Sequence, residues 1–227
     1  MFLQNILKAV FPSSCLNCGK DTEDDAVCEK CVSAIKINNT LFCGKCRARL
    51  PVNRRNCHKN HPYILGAATN YDDVMKNIVH GLKFRRIRDA AKTLGRILAS
   101  YTSSLEMPIQ KFCLIPIPLS PRRLRERGFN QAELIAVELR KYLNLNMRTD
   151  VLERTRNTSP QSEIKNLAER KINVRDCFRV KDEDIVSGKS FILVDDITTS
   201  GATLEEAARA LKNAGAKTIV ALTAAKA

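Results

Sequence analysis

The segment 191–203, FILVDDITTSGAT, limits the folds open to this chain more than any other stretch of the sequence. Its apolar start predicts a buried strand, its small and hydroxyl-bearing end predicts a turn, and the apolar spacing over 204–211 predicts a helix. Gly215 then offers a left-handed helix end, and the apolar run 218–222 predicts a second strand. Strand, helix and strand in this order predict parallel strands joined by a right-handed crossover, and therefore an α/β fold.

The turn in this unit has the composition of a phosphate-binding loop. Small side chains and a glycine let a ligand approach the backbone, hydroxyls can donate hydrogen bonds, and the N-terminus of the following helix favours an anion. The spacing of Thr203 and Glu206 predicts a capping box that places the start of this helix. The predicted phosphate ligands are Thr198, Thr199, Ser200, Gly201, Ala202 and Thr203.

Two adjacent acidic residues, Asp195 and Asp196, end the predicted strand, at the position where ligands bind in open α/β sheets. Because carboxylates repel a phosphate, they indicate a ligand that also carries hydroxyl groups or a magnesium ion. The molecule 5-phosphoribosyl diphosphate (PRPP) combines a 5-phosphate, ribose hydroxyls and a diphosphate that binds Mg²⁺. The alternative is that Asp196 caps a turn and that the hydroxyl-rich segment is an ordinary loop.

The first part of the chain is rich in cysteine and poor in the aliphatic side chains that form a core. Its paired Cys-x-x-Cys ligands therefore predict that Zn²⁺ holds this part together. The first predicted site is Cys15, Cys18, Cys28 and Cys31, and the second is Cys43, Cys46, Cys57 and His61. His58 competes with His61 in the second site. A crossed pairing of the cysteines, a single zinc ion and a thiol redox centre are the alternatives.

These features divide the chain into two predicted domains. Residues 1–61 form an N-terminal amphipathic helix and a zinc-ribbon-like finger, and residues 62–227 form the α/β domain. A signal peptide requires a basic region before its apolar run, and no basic residue precedes the apolar run at the start of this sequence. No apolar stretch is long enough to span a membrane. Cysteines that bind metal favour a reducing compartment, so we expect the protein in the cytoplasm.

The chain has a formal net charge of +14, which attracts polyanions such as nucleic acid or anionic lipid. Two basic clusters also contain or adjoin a phenylalanine. The first contains Lys83, Arg85, Arg86 and Arg88, and the second contains Arg122, Arg123, Arg125 and Arg127. Cations beside an aromatic ring favour the binding of single-stranded nucleic acid. A solvated charged face is the alternative for either cluster, and the second cluster would equally suit a diphosphate.

Two resemblances follow from these motifs. FILVDDITTSGAT is similar to the PRPP-binding motif of type I phosphoribosyltransferases, which implies that Asp195 and Asp196 hold the ribose hydroxyls and that 198–203 hold the 5-phosphate. In that family a separate loop after an earlier strand meets the diphosphate, and the segment after 112–118 would fill that place. The implied fold is a parallel sheet flanked by helices, of the type I phosphoribosyltransferase kind, preceded by a small Cys-rich zinc-binding domain.

From the cysteine pairs through LKFRR, IPIPLSPRRLRERGFNQ and AERKINV to VDDITTSGAT, the chain resembles the ComF family of bacterial competence proteins. This resemblance implies a role in natural transformation. The protein would handle incoming single-stranded DNA in the cytoplasm, at the inner face of the membrane, with a helicase-like partner. Asn60 stands where a fourth cysteine pair would have its second cysteine, so the chain departs from the pattern at the second metal site.

Two functions from different classes are therefore expected. In the first, the protein handles DNA through a transferase-like fold that keeps a phosphoribosyl site. In the second, it is an active phosphoribosyltransferase that joins PRPP to a base or an amine. The ribose and phosphate motifs favour ligand binding, whereas the sequence identifies neither a catalytic residue nor a segment that recognises a nucleobase.

Overall fold

A computed structural model describes residues 13–22, 25–51, 56–105, 107–158, 164 and 166–227. The amphipathic helix predicted at the start of the chain lies outside these residues. The strands are β1 (Ser13–Ser14), β2 (Asp21–Thr22), β3 (Phe42–Cys43), β4 (Ile64–Asn70), β5 (Phe112–Pro116), β6 (Asn146–Met147), β7 (Leu152–Arg154), β8 (Phe178–Val180), β9 (Ser190–Thr198) and β10 (Thr218–Lys226). The helices are α1 (Glu29–Ser33), α2 (Asp73–Lys83), α3 (Ala90–Ser104), α4 (Pro121–Arg127), α5 (Gln131–Leu143), α6 (Leu167–Val174) and α7 (Ala202–Asn213).

A six-stranded sheet organises the fold, with the strand order β3-β4-β10-β9-β5-β6. Strands β9 and β10 run parallel, with Ser190 opposite Thr218 and Thr198 opposite Lys226. Strand β5 is parallel to β9, and β4 is parallel to β10. Only β3, among the described strands of this sheet, pairs antiparallel to its neighbour. The predicted α/β fold with a parallel sheet is confirmed.

Strand β9 is apolar without alternation because the sheet is covered on both faces. Ile192 and Val194 belong to one buried cluster, with helices α2, α3 and α5. Phe191 and Leu193 belong to a second cluster, with helix α7 on the opposite face. The apolar residues predicted to face the sheet are all buried in that second cluster: Leu204, Ala207, Ala208 and Leu211.

The cysteine-rich segment packs directly on this sheet. Strand β3 comes from that segment and forms an edge of the six-stranded sheet. The hydroxyl of Tyr101 on α3 donates to the carbonyl oxygen of Thr40 at 2.6 Å. A Cβ added at Gly81 of α2 would lie 2.6 Å from a methyl group of Leu16, so the first cysteine knuckle is in close contact with that helix. The boundary after residue 61 stays a prediction, but the two parts share one apolar core.

Helix α7 begins differently from the prediction. It starts at Ala202, and its N-cap is Gly201 in the left-handed conformation, with φ +75° and no side-chain cap. The capping box of Thr203 and Glu206 is therefore wrong. The Glu206 carboxylate instead accepts from the N–H of Asp176 at 2.9 Å and pairs with Arg209 at 2.9 Å. Glu206, which the local pattern assigned to the helix cap, therefore makes a tertiary contact instead.

Within the described part of the chain, we find no helix with both the length and the apolar character needed to cross a lipid bilayer.

Candidate functional site

The candidate site lies at the carboxyl edge of the parallel strands. Strands β5 and β9 are hydrogen-bonded neighbours that run in the same direction, and the N–H of Ile117 continues the pairing to the carbonyl oxygen of Val194. The segments after these strands therefore emerge at the same edge of the sheet. One of them is the hydroxyl-rich loop 198–203, and the other leads into helix α4. The structure thus brings together the two segments assigned to the phosphate and the diphosphate.

The loop itself is short, and it is exposed mainly at Thr199. Thr198 ends β9 and accepts from the N–H of Ala227 at 3.0 Å through its carbonyl oxygen. Thr199 is exposed, Ser200 is half-buried, and Gly201 makes the left-handed turn into helix α7. Gly201 supplies no capping side chain, and the N–H of Ala202 donates to the hydroxyl of Ser200 at 3.4 Å. The N-terminus of α7 nevertheless favours an anion at this loop. The geometry fits the predicted phosphate loop.

The acidic pair has two distinct environments. Asp196 is 2% exposed, and one of its carboxylate oxygens lies 2.8 Å from the ammonium nitrogen of Lys83. Its other oxygen, Oδ2, has no hydrogen-bond partner among the described residues. Asp195 is only half-buried, and its Oδ1 accepts from the N–H of Asp196 at 2.9 Å. Asp195 therefore has the better access to a ligand.

Burial, followed by the neighbouring charge of Asp196, raises the pKa of Asp195 to about 7. Lys83 and Arg154 oppose this shift. A carboxyl group with such a pKa changes charge near neutral pH, and perturbed pKa values of this kind are enriched at functional sites. The ammonium group of Lys83, a predicted diphosphate- or nucleic-acid-binding residue, pairs with Asp196 and therefore lies beside the acidic pair.

Two further arginines face the acidic pair. Arg127 is half-buried and donates to the side-chain oxygen of Gln131. Burial lowers the pKa of Arg127, while Asp196 and Asp195 raise it, which places the guanidinium near both acids. Arg154 is 7% exposed, and its burial lowers its pKa while Asp195 opposes that shift. Sequence reasoning assigned no role to Arg154, although the segment RTRNTSPQ that begins with it belongs to the pattern of the family resemblance.

The two basic clusters meet on one surface. Arg86 donates to the carbonyl oxygen of Glu126 at 2.7 Å, and Arg88 donates to that of Gly128 at 3.5 Å. The Arg88 guanidinium also lies 5.0 Å from the centre of the Phe129 ring. We call the joined region the arginine surface, and its exposed members are Phe84, Arg85, Arg86, Arg88, Arg122 and Arg125.

Other predicted members of the clusters do not lie openly on the arginine surface. Arg123 is half-buried and donates to the carbonyl oxygen of Thr158 at 3.1 Å, and Arg127 turns towards the acids. Arg122 is exposed but pairs with Glu126 at 2.7 Å, which reduces its effective charge. The structure therefore divides the predicted basic residues between an open surface and the edge of the acidic site.

The first cysteine cluster has the donor set of a structural zinc site. The Sγ atoms of Cys15, Cys18, Cys28 and Cys31 lie within 4.8 Å of one another. The sulfur atoms of Cys18 and Cys28 are 3.7 Å apart, close to the edge of a tetrahedron with Zn–S bonds of about 2.3 Å. Burial raises the pKa of Cys15, but hydrogen bonds from the backbone N–H groups of Cys18, Cys28 and Asn17 lower it by more, so that its pKa is about 6. The thiolate that binds metal is thus favoured at Cys15, whereas the pKa of Cys31 in the same cluster is raised.

The second cluster contains His58 in place of His61. Nδ1 of His58 lies 3.5 Å from Sγ of Cys43 and 3.3 Å from Sγ of Cys57, and Cys46 completes the group. The His61 ring instead packs 4.7 Å from the Tyr63 ring, and a Cβ added at Gly44 would lie 2.4 Å from it. The structure therefore selects His58, the competing ligand that the sequence left open.

Replacing His58 by alanine is expected to release one zinc ion per chain, because a Cys₃His set would lose a ligand. His61→Ala is the matched control, since that ring lies outside the cluster. Metal content after dialysis, measured by plasma mass spectrometry, distinguishes the two variants. Retention of zinc in His58→Ala together with its loss in His61→Ala would restore His61 as the ligand.

Two arginines that sequence reasoning missed contact the phosphate loop. Nη2 of Arg47 donates to the hydroxyl of Thr198 at 3.3 Å and to the carbonyl oxygen of Thr199 at 3.1 Å. Nη1 of Arg170 donates to the hydroxyl of Thr199 at 3.1 Å. Arg47 had no local signal, because it follows a metal-binding cysteine. Arg170 lies in AERKINV, a segment that carries the family resemblance, but the sequence assigned it no role.

Comparison with known proteins defines the class of the chain. Residues 127–227 match the family model of the phosphoribosyl transferase domain, and residues 6–59 match that of the double zinc ribbon domain. The chain thus combines a zinc ribbon with a phosphoribosyltransferase fold, as the sequence predicted.

Curated relatives are similar to this chain over most of its length. The DNA utilization protein YhgH of Shigella flexneri is 31% identical over 90% of this chain and 86% of its own length. Competence protein ComFC of Bacillus subtilis is 31% identical over 92% of this chain and 75% of its own length. Competence protein F of Haemophilus influenzae is 27% identical over 92% of this chain and 95% of its own length. The chain belongs to this ComF family of competence and DNA utilization proteins.

Proposed function

We propose that this protein acts in DNA uptake and binds incoming single-stranded DNA in the cytoplasm through the arginine surface, while its phosphoribosyltransferase fold keeps a site for PRPP or ribose 5-phosphate. The relatives named for competence and for DNA utilization support the first part. The loop 198–203 and the acidic pair support the second. Zn²⁺ in the ribbon has a structural role, and Mg²⁺ would accompany the diphosphate of PRPP.

The observation that carries the DNA-binding proposal is the contact between Arg86 and Glu126. It joins two basic clusters that are separated by 40 residues in the sequence. Either cluster alone has the composition of an ordinary solvated face. Joined, they bring the exposed arginines of both clusters to one surface, where they can contact the phosphates of a nucleic acid strand.

Phe84 favours a single strand over a duplex. Its side chain is 65% exposed, although a phenylalanine usually avoids water. It lies between Lys83 and Arg85, at the end of helix α2. An exposed ring beside cations can stack on the face of an unpaired base. A base inside a duplex cannot stack on the ring, because its faces are covered by the neighbouring base pairs.

A helicase-like competence protein at the inner face of the membrane is the proposed partner. That part of the proposal rests on the family resemblance. The net charge of +14 supports attraction to DNA and to an anionic surface alike.

The alternative function is an active phosphoribosyltransferase that transfers phosphoribose from PRPP to a base or an amine. The half-buried Asp195, beside the phosphate loop, favours it because both elements of a ribose phosphate site are present. Incubation with PRPP, Mg²⁺ and candidate acceptors tests it by release of pyrophosphate. Release that depends on an acceptor would support turnover, whereas PRPP binding without release would leave a binding function.

Single-strand binding is expected to weaken steeply with salt and to depend on Phe84. Anisotropy of a labelled oligothymidylate should fall between about 50 and 200 mM salt, since each neutralised phosphate contributes about −0.7 to the log–log slope. Phe84→Ala should lower the affinity about tenfold, as expected for the loss of one stacked base. Arg85→Ala should also reduce the magnitude of the log–log slope by about 0.7, which is the contribution of one phosphate contact.

Tyr142→Ala is the matched control. Tyr142 is also an exposed aromatic residue, at 58%, but it lies near the C-terminal end of α5 and belongs to neither basic cluster. Its substitution should leave the affinity unchanged. Binding that ignores salt, or that weakens equally in the Phe84 and Tyr142 variants, would contradict the proposed surface.

A further inference from the structure

The side chain of Arg47 extends from the zinc ribbon to the phosphate loop. Arg47 follows Cys46 in the second knuckle, and its Nη2 atom contacts Thr198 and Thr199 at 3.3 and 3.1 Å. The donor and its acceptors are 151 and 152 residues apart in the sequence. The second metal cluster and the phosphate loop are therefore in direct contact through Arg47.

The knuckle holds Arg47 in a defined position. The backbone of Arg47 adopts a left-handed conformation with φ 63°, and its N–H donates to the carbonyl oxygen of Cys43 at 2.9 Å. The N–H of Cys43 in turn donates to Ala48 at 2.8 Å. Cys43 and Cys46 are both members of the second cluster, so metal binding there fixes the backbone position from which the Arg47 side chain extends.

The contact with the loop is tight at Gly201. A Cβ added at Gly201 would lie 2.5 Å from Nη2 of Arg47 and 2.8 Å from the hydroxyl oxygen of Tyr63. Tyr63 is 2% exposed and donates to the carbonyl oxygen of Gly44, in the same knuckle, at 3.4 Å. A glycine at the N-cap of α7 thus lets the guanidinium approach the loop backbone.

The charge of Arg47 has no acidic partner in the described part of the chain: no carboxylate oxygen there lies within 4.0 Å of its guanidinium nitrogens. The nearby Glu205 pairs with Arg209 at 3.5 Å and with Lys171 at 3.7 Å. Arg170 brings a second guanidinium to Thr199. An anion bound in the loop would be attracted by both guanidinium groups.

We propose that Arg47 is a ligand of the phosphate monoester that binds in the loop 198–203, so that the zinc ribbon completes the phosphoribosyl site. This inference rests on the proposed ribose 5-phosphate site. A guanidinium presents donors in a planar fork that matches two phosphate oxygens, and Arg47 already lies on the loop. The second zinc knuckle therefore positions a ligand, in addition to stabilising the ribbon.

Calorimetric titration of the full-length, zinc-loaded protein tests the inference. Ribose 5-phosphate and PRPP with Mg²⁺ are the probes, because they share the 5-phosphate and differ in the diphosphate. Arg47→Ala should weaken both ligands by the same factor, about ten- to a hundredfold for a charge-assisted hydrogen-bonding pair. Arg47→Lys should fall between wild type and Arg47→Ala. Lys45→Ala, an exposed cation in the same knuckle, should bind as wild type.

Zinc content and salt dependence separate a ligand from a purely structural side chain. The Arg47 variants should keep their zinc, and the affinity of Arg47→Ala for ribose 5-phosphate should fall less steeply with salt than that of wild type. Unchanged ribose 5-phosphate affinity in Arg47→Ala would overturn the inference and leave the proposed site intact. Weakening of PRPP alone would also overturn it, because Arg47 would then bind the diphosphate. If wild type binds neither probe, the phosphoribosyl site itself fails, and the inference fails with it.

Discussion

Replacing Cys31 by alanine is expected to release one zinc ion per chain and to destabilise the α/β domain together with the ribbon. Cys31 is 7% exposed and belongs to the same buried cluster as the core residues of α2 and α3. A structural zinc site contributes its binding free energy to folding, so loss of the ion removes several kcal/mol. For a chain of this size, we expect the melting temperature to fall by more than about 10 °C.

The reason for a global effect is the packing of the first knuckle on helix α2. Leu16 fills the space above Gly81, and the side-chain amide of Asn77 donates to that of Asn17 at 3.1 Å. Both residues of the knuckle lie between the ligands Cys15 and Cys18. Loss of the metal therefore exposes apolar surface on the helix as well as on the ribbon.

Cys113→Ala is the matched control, because Cys113 is a half-buried cysteine of β5 outside both metal clusters. It should keep the full zinc content and lose no more than about 1 kcal/mol. Circular dichroism melting and metal analysis on the same samples make the comparison. A Cys31 variant that loses zinc but retains the wild-type melting temperature would show that the ribbon folds independently of the sheet.

Features that depend on local sequence could be predicted. The apolar run 191–194 must be a buried strand in any compact fold, and its continuation into a small, hydroxyl-bearing turn defines the crossover. The cysteine clusters follow from ligand spacing in the same way. The choice between His58 and His61 did not follow, because it depends on the space that Gly44 and Tyr63 leave for the second ring.

Features that depend on long-range contacts could not be predicted. The Thr203–Glu206 spacing fits a capping box, yet Glu206 accepts from Asp176, a partner 30 residues away. The arginine surface exists only because Arg86 meets Glu126. The contact of Arg47 with the loop has no trace in either local segment, since each segment is complete without the other.

Asp195→Asn is expected to stabilise the protein above neutral pH and to weaken ribose 5-phosphate binding. The pKa of Asp195 is about 7 in the folded state, through burial and then through Asp196, against an ordinary value of 3.8. Below about pH 4 the carboxyl is protonated in both the folded and the unfolded chain. As the pH rises from about 4 to about 7, the unfolded chain ionises at Asp195 while the folded chain keeps its proton, so the stability of the folded state falls. Above about pH 7 the folded state ionises too, and it then holds a half-buried charge beside Asp196.

The amide of the variant carries no charge, so that pH-dependent loss disappears. The free energy of unfolding of Asp195→Asn should exceed that of wild type by roughly 1–3 kcal/mol near pH 8, and the difference should vanish near pH 4. The amide oxygen can still accept from the N–H of Asp196, so the local hydrogen bond is kept. Urea unfolding at the two pH values measures this difference, with Asp184→Asn, an exposed acid, as the control.

Ligand binding should respond in the opposite direction. Ribose hydroxyls donate to an ionised carboxylate more strongly than to an amide, so we expect about a tenfold lower affinity in Asp195→Asn near pH 8. The second ionisation of the phosphate, near pH 6, affects wild type and variant alike. The ratio of their affinities therefore isolates Asp195, and it should grow as the pH rises through about 7. A variant that is both less stable and unaltered in binding would show that Asp195 is neither a strained buried acid nor a ribose ligand. If Asp195 serves ligand binding at a cost to the stability of the fold, Asp195→Asn should raise the stability and lower the affinity.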